Sequence, residues 1–313
     1  MKRRLKIFAG KSNQGLAKDI CNCLSIDLGK MTYLKFSNCN VKVTIEESVR
    51  EDDVFVIQSG YPDTNEALME LLIIIDALKY ASASRITAVM PYYPYVRSDK
   101  KDEPRISITA RLVADLLETA GANRILTMDL HSPQIGGFSR IPVDQLQIKP
   151  TMCSYIMGKD LNNFVIAAPD VGSAKRAEGF ARRLNVPMVI MYKRRYRDDE
   201  KAEVINIIGD VDGNNCFIID DEVSTGGSMI EACRALIEAG AKDLYAGCSH
   251  GILCGGASKR LEESPLKEFI TTNTIDQSKF SDFNKLKILN VADLFSEAIV
   301  AIHMGTSVSK LFV

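Results

Sequence analysis

Short apolar runs alternate along this chain with segments of helical spacing, and the alternation is played through twice. The runs Lys6–Ala9, Val54–Gln58, Ile86–Met90, Ile125–Asp129, Phe164–Ala168, Met188–Met191, Cys216–Asp220, Leu244–Gly247 and Phe269–Thr272 are too short and too uniformly apolar for exposed elements. They suit parallel strands covered on both faces by crossover helices. Between them, Ile108, Leu112, Val113, Leu116 and Leu117 form a helical stripe that stops at Gly121, and Ile230, Cys233, Leu236 and Ile237 form another that stops at Gly240. Both stripes are expected to face the core. The order then repeats: Ile7 pairs with Ile166, Phe55 with Phe217, and Arg85 with Lys242. A spacing of about 160 residues with a drift of a few is what loop insertions in a duplicated unit produce. The chain is therefore expected to be α/β, with two tandem related domains, each a mainly parallel sheet flanked by helices. The joint falls in Gln147-Ile148-Lys149-Pro150, giving domains at 1–148 and 149–313.

Composition limits what such a pair of domains can bind. Thirty-nine Lys and Arg against 40 Asp and Glu leave a net charge of -1, so no global field draws the chain to nucleic acid or an anionic membrane. The strongest apolar run, Leu71–Ile75, is bounded by Glu70 and Asp76 and is far too short to span a bilayer. The N-terminus lacks the continuous apolar stretch of a secretory signal. Eight scattered cysteines without C-x-x-C spacing suggest free thiols in a reducing, cytoplasmic setting.

In a parallel sheet, ligands gather at the carboxyl ends of the strands. At one such end Phe217-Ile218-Ile219 runs into Asp220-Asp221-Glu222-Val223-Ser224-Thr225-Gly226-Gly227-Ser228 and then a helix. Two carboxylates can accept hydrogen bonds from vicinal hydroxyls, and a Ser/Thr/Gly turn at a helix start presents N–H groups to a phosphate. Together they describe a phosphorylated sugar; the plainer alternative is an acidic strand end and an ordinary cap. Gly10-Lys11-Ser12 imitates the end of a P-loop, but Leu5 stands where that motif needs its first glycine.

The nine-residue string resembles the phosphoribosyl pyrophosphate loop shared by phosphoribosyltransferases and ribose-phosphate pyrophosphokinases. Phe36-Ser37-Asn38, Leu68–Leu72, Arg97–Asp102, Thr127–His131 and Ala168–Gly172 resemble the pyrophosphokinase motifs in order and spacing, over nearly the whole chain. The resemblance implies two phosphoribosyltransferase-like domains. It also implies transfer of the pyrophosphoryl group of ATP to the C1 hydroxyl of ribose 5-phosphate, giving phosphoribosyl pyrophosphate and AMP for nucleotide biosynthesis. ATP would meet Phe36, Asn38, Asn40, Arg97, Ser98, Asp99, Lys100 and His131. Ribose 5-phosphate would meet Asp170, Asp220, Asp221, Ser224, Thr225, Gly226, Gly227 and Ser228. His131 and Asp170 match the magnesium positions, although an isolated histidine is more often structural and Mg2+ prefers oxygen.

Nine of the eleven residues from Lys193 to Glu203 are charged, which by composition alone reads as a solvated loop. The family places its catalytic flexible loop there, with Lys193 and Arg195 as the transition-state cations. Ser48, Arg50, Arg105, Ser307, Ser309 and Phe312 match positions where regulated members bind phosphate or ADP, implying inorganic phosphate as an activator and a homo-oligomer, a hexamer by analogy. Three positions depart from the common pattern: Asn40 for Glu, Ser98 for Gln and Ser224 for Asp. The first two remove polar groups from the nucleotide site and imply weaker or broader nucleotide choice. Two alternatives stay open, a catalytically inactive regulatory subunit of such a synthetase and a phosphoribosyltransferase.

Overall fold

The computed structural model describes residues 3–159, 161–195 and 202–312, with 193–195, 202–205 and 312 described in backbone alone. The residues gather into two compact units. The first takes the chain up to Gln147, Thr274–Asp276 and the stretch from Asn290 onward; the second takes Ile148–Asn273 and Gln277–Leu289.

In the first unit the elements run β1 (Leu5–Ala9), α1 (Gln14–Leu24), β2 (Met31–Lys35), β3 (Val41–Ile45), β4 (Asp53–Ile57), α2 (Thr64–Tyr80), β5 (Arg85–Met90), α3 (Thr109–Ala120), β6 (Arg124–Met128) and β7 (Val143–Leu146). Five strands form a parallel sheet in the order β1-β4-β5-β6-β7. Every residue of β4 is buried, as a strand covered on both faces must be. Strands β2 and β3 form a separate antiparallel hairpin. It does not stand out as an apolar run, because its residues alternate between half-buried and exposed.

The second unit runs α4 (Lys149–Met157), β8 (Phe164–Ala168), α5 (Ala174–Leu184), β9 (Met188–Arg195), β10 (Ala202–Ile208), β11 (Asn215–Val223), α6 (Gly227–Glu238), β12 (Leu244–Gly251), α7 (Ala257–Glu263), β13 (Leu266–Thr272) and β14 (Leu286–Leu289). Its sheet has the order β10-β9-β8-β11-β12-β13-β14, parallel except for the β9–β10 hairpin. Progress along the sheet reverses between β8 and β11, and the crevice beyond the carboxyl ends of two such strands is where this architecture binds ligands.

All nine expected strands are present, with β2, β3, β7, β10 and β14 in addition. The helical stripes need correction. On α3 the buried residues are Ala110, Val113, Ala114 and Leu117, while Leu112 and Leu116 are exposed. On α6 they are Met229, Ala232, Cys233 and Leu236, and Ile237 is exposed. In both helices small residues face the sheet where close approach requires them, so the largest apolar side chains do not mark the buried face. No helix among the described residues is long and apolar enough to cross a membrane.

The expected second domain, 149–313, does not keep its C-terminus. The last helix, α8 (Ala292–Met304), belongs to the first unit, where its Phe295, Ile299 and Ile302 are buried together with Leu16, Ala17 and Ile20 of α1. Burial of side chains of this size is worth about 1.5–3 kcal/mol each, which is why the chain returns so far. Polar contacts fasten the same helix. Asp53, fully buried at the start of β4, receives Arg85 Nε at 2.7 Å and Nη2 at 2.5 Å, and its Oδ2 lies 2.7 Å from His303 Nδ1. Arg85 Nη2 also donates to the Ile302 carbonyl at 2.9 Å.

Removing one partner of a buried ion pair leaves the other charge uncompensated, so Arg85→Ala should lower the unfolding free energy by about 3–5 kcal/mol. Urea denaturation measures this; a loss below about 1 kcal/mol would show that Asp53 does not depend on the guanidinium.

Candidate active site

In the second unit the loop after β8 is tied to strand β11 by one side chain. Ser173, buried ahead of α5, donates its backbone N–H to Asp170 Oδ1 at 2.9 Å and its hydroxyl to Asp220 Oδ1 at 3.1 Å. Asp220 Oδ1 also accepts the backbone N–H of Asp221 at 2.9 Å. Asp221 is buried, and the guanidinium of Arg176, in the first turn of α5, reaches its Oδ2 at 3.6 Å. Burial first, and the neighbouring Asp221 carboxylate second, push Asp220 up to about 8, which favours a proton on this carboxyl in the free chain.

The turn that follows leads into α6. Gly226 has φ 78°, a backbone conformation open to glycine and strained for other residues, and it lets the chain enter α6 with the first N–H groups exposed. Thr225, Gly227 and Ser228 are exposed at this helix start. From beneath, the turn is held by Arg260 Nη2 donating to the Thr225 carbonyl at 2.5 Å and by Cys254 N–H donating to the Ser224 carbonyl at 3.0 Å. The Ser224 hydroxyl lies 3.2 Å from Cys254 Sγ. Asp170, Asp220, Asp221 and 224–228 thus come together at the switch point: acceptors for hydroxyls on one side, N–H donors for an anion on the other. Neither Arg176 nor Arg260 is apparent from sequence, since each is one of many charged residues on an amphipathic helix.

In the first unit the nucleotide candidates cluster around the first turn of α2. Phe36 is exposed at the β2–β3 tip, which is closed by Phe36 N–H to the Asn40 carbonyl at 2.8 Å and Asn40 N–H to Asn38 Oδ1 at 3.1 Å. Lys35, next to Phe36, pairs with Glu66 at 2.7 Å, while Tyr95, two residues before Arg97, bonds Asn65 through its hydroxyl. The hairpin tip and the loop carrying Arg97, Asp99 and Lys100 therefore share one anchor. Ser98 is the exception. Its hydroxyl accepts the Thr109 N–H at 3.1 Å and donates to the Ser107 carbonyl at 3.1 Å, so it caps α3. His131 is exposed after β6, following Asp129 at φ 37°.

Of the charged stretch Lys193–Glu203 expected as a loop, the structure describes both ends, and both are strand. Lys193 and Arg195 are on β9, whose register pairs them with Val204 and Ala202 of β10; two apart on a strand, they share a face. Their side chains, Tyr196 and Arg197 lie outside the described residues. Of the regulatory candidates, Ser48, Arg50 and Arg105 are exposed. Ser307 and Ser309, with hydroxyls 2.7 Å apart, line a cavity of about 470 Å³ with Arg85, Arg124 and Asp144. The side chain of Phe312 is outside the described residues.

Along its length the chain is 49% identical over 309 residues to the ribose-phosphate pyrophosphokinase of Caldanaerobacter subterraneus, covering 98% of each chain. It is 46% identical over 310 residues to that of Bacillus subtilis, covering 99% of this chain and 98% of the relative. The chain belongs to the ribose-phosphate pyrophosphokinase family. Residues 5–121 match the N-terminal domain of ribose phosphate pyrophosphokinase, and residues 198–313 match the phosphoribosyl synthetase-associated domain. The crystal structure of the phosphoribosylpyrophosphate synthetase from Mycobacterium smegmatis superposes with a TM-score of 0.92 at 40% identity, over 97% of this chain and 100% of that one.

Pyrophosphokinase chemistry calls for a divalent cation, and the donors available fit magnesium in one respect. Mg2+ is usually held by one or two carboxylates, waters and substrate phosphates. Asp170 is a half-buried carboxylate at a strand end, and among the described residues no group of three or more His, Cys, Asp or Glu forms a closed cage. An ion shared with substrate suits such a site. The imidazole of His131 is the less suitable donor for so hard a cation.

The state of Asp220 has a consequence for stability. Its folded-state value is raised above the ordinary 3.9 of an unfolded Asp, so the folded chain holds the proton more tightly, and the resulting stabilisation is full below about pH 4 and lost as pH rises through 8. Asp220→Asn lacks that dependence. Its melting temperature should rise relative to the parent chain between pH 5.5 and pH 8.5; a constant difference would place the proton elsewhere.

Proposed function

We propose that this chain transfers the pyrophosphoryl group of ATP to the C1 hydroxyl of ribose 5-phosphate, giving phosphoribosyl pyrophosphate and AMP for nucleotide biosynthesis. The observation that carries the reading is the switch-point site, where an acidic pair and an exposed helix start stand side by side in a chain nearly half identical to ribose-phosphate pyrophosphokinases throughout.

The 5-phosphate of the sugar lies on the turn 224–228, where backbone N–H groups and the hydroxyls of Ser224, Thr225 and Ser228 donate to its oxygens. Asp220 and Asp221 accept hydrogen bonds from the ribose hydroxyls, and binding of those donors draws Asp220 towards its ionised form. ATP is held in the first unit, with adenine against Phe36 and the hairpin residues Asn38 and Asn40, and its phosphates near Arg97, Asp99, Lys100 and His131. Ser98 contributes by holding the start of α3 in place. The C1 oxygen attacks the β-phosphorus, a new P–O bond forms there as the hydroxyl proton passes to solvent, and the bond to the α-phosphate oxygen breaks to release AMP. Such transfers depend on alignment and charge neutralisation more than on covalent catalysis. Lys193 and Arg195, on one face of β9, supply positive charge as it develops on the transferring group. His131 in the first unit and Asp170 in the second are each candidates to hold magnesium, which when bound would supply further charge neutralisation on the phosphates.

Regulation and assembly belong to the same proposal. Inorganic phosphate acts as an activator at Ser48, Arg50, Arg105, Ser307, Ser309 and Phe312, where ADP competes, and the chain works in the cytoplasm as a homo-oligomer, a hexamer in the pattern of the family. The two regulatory serines, hydroxyl to hydroxyl at a cavity, support polar recognition there.

Purified chain given ATP, magnesium and ribose 5-phosphate, with and without inorganic phosphate, should release AMP and phosphoribosyl pyrophosphate in equal amounts. No AMP under any condition would overturn the reading in favour of an inactive subunit. In the same assay Lys193→Ala should lower kcat by about 100-fold or more with KM for ribose 5-phosphate little changed, the mark of a contact made in the transition state. An unchanged kcat would remove Lys193 from the catalytic groups.

A further inference from the structure

The duplication provides an internal control for the acidic site. Helices α1 and α5 are both 11 residues long, with Asn13 and Ser173 as the residues ahead of them. Strands β4 and β11 align so that Gln58 and Ser59 of the first unit stand where the second has Asp220 and Asp221. Each unit ties the residue ahead of its helix to this strand end, one position apart: Asn13 Nδ2 donates to Ser59 Oγ at 3.3 Å, and Ser173 Oγ donates to Asp220 Oδ1 at 3.1 Å. The first unit has uncharged side chains at that strand end: buried Gln58 accepts from the Ser12 N–H and hydroxyl and donates to the buried Glu70 carboxyl of α2. At the helix position corresponding to Arg176 it has the buried apolar Leu16. The half that carries two adjacent carboxylates is therefore the half that carries the guanidinium.

That guanidinium is placed against two ordinary preferences. A cation in the first turn of a helix opposes the helix dipole, and α5 has both Lys175 and Arg176 there with no acidic residue to offset them. Arg176 Nε is moreover buried without a hydrogen-bond partner. Its one clear engagement among the described contacts is with buried Asp221, 3.6 Å away.

We infer that Arg176 is a positioning residue for ribose 5-phosphate: it neutralises and orients Asp221 so that the adjacent carboxylates can both accept hydroxyls of the sugar. The role follows from charge. Adjacent carboxylates repel, and in the free chain a proton on Asp220 relieves the repulsion; the Arg176 guanidinium opposes that proton, so that both groups can turn acceptor when the sugar hydroxyls arrive. Arg176 lies behind the pair on α5, so it acts through Asp221. The inference rests on the function proposed above.

Kinetics on the full-length chain test it. Arg176→Ala should raise KM for ribose 5-phosphate at least tenfold and leave KM for ATP within twofold, while Arg176→Lys restores most of the loss. Because the effect passes through Asp221, the double variant Arg176→Ala/Asp221→Asn should bind the sugar no worse than the poorer single variant. Equal rises in both KM values, an unchanged KM for the sugar, or additive losses would each overturn it. If Arg176→Ala does not fold, Arg176→Gln keeps the Cβ–Cγ–Cδ stem with an uncharged polar end and enters the same comparison. Melting in the presence of ribose 5-phosphate separates the two levels of the argument. If the parent chain forms no AMP, the reaction assignment fails, yet the sugar should still raise the melting temperature of the parent and not of the Arg176 variant; a shift equal in both removes the positioning role.

Discussion

Asp220 and Asp221 are consecutive residues at the end of a strand whose body is wholly buried, and the surroundings of the sugar site follow from keeping two such groups there. The reversal of strand order between β8 and β11 leaves a crevice at that end, so the pair opens towards a ligand. Ser173 donates its backbone N–H to Asp170 within the loop after β8 and its hydroxyl to Asp220 of β11, which ties that loop to the strand. Arg176 offsets the charge from the helix behind, and the start of α6 offers N–H groups to a phosphate a few residues further on. Acceptors and donors are thus segregated by backbone geometry before any ligand arrives.

The first unit solves the same strand end differently. Gln58 stands at the position of Asp220 and is satisfied internally, and a Cβ at Gly10 would meet its side chain at 2.4–2.7 Å, so the counterpart of the sugar crevice is filled by the amide. Its nucleotide candidates lie instead on the β2–β3 hairpin and on the loop after β5, both tied to α2. One ancestral arrangement of strands serves two purposes because the residues at equivalent strand ends differ in charge and size.

Much of this was legible in the linear chain. Parallel strands show as unbroken apolar runs because both of their faces are covered, and all nine such runs form strands. The acidic string before Ser224–Ser228 is recognisable because its carboxylates, hydroxyls and glycines are contiguous. Elements with one wet face were harder to see: β2 and β3 alternate, and β10 begins within a charged stretch. The stripes on α3 and α6 misled for a related reason, since Leu112, Leu116 and Ile237 are apolar yet exposed, while Ala110, Ala114 and Ala232 take the buried face. Ser98 looked like a nucleotide ligand from its neighbours, and its hydroxyl is taken up by the start of α3.

What the sequence determined by itself is whatever depends on neighbours in the chain: the α/β alternation, the duplication, and the composition of the sugar loop. The tertiary structure alone decided which distant groups meet. It returned α8 to the first unit, because its apolar face fits α1 and because Arg85 and His303 converge on Asp53 from positions 32 and 250 residues away. It likewise brought Arg176 to Asp221. Charge compensation inside a protein is settled by distance in space, and distance in space between remote residues is fixed only when the sheets and helices have packed.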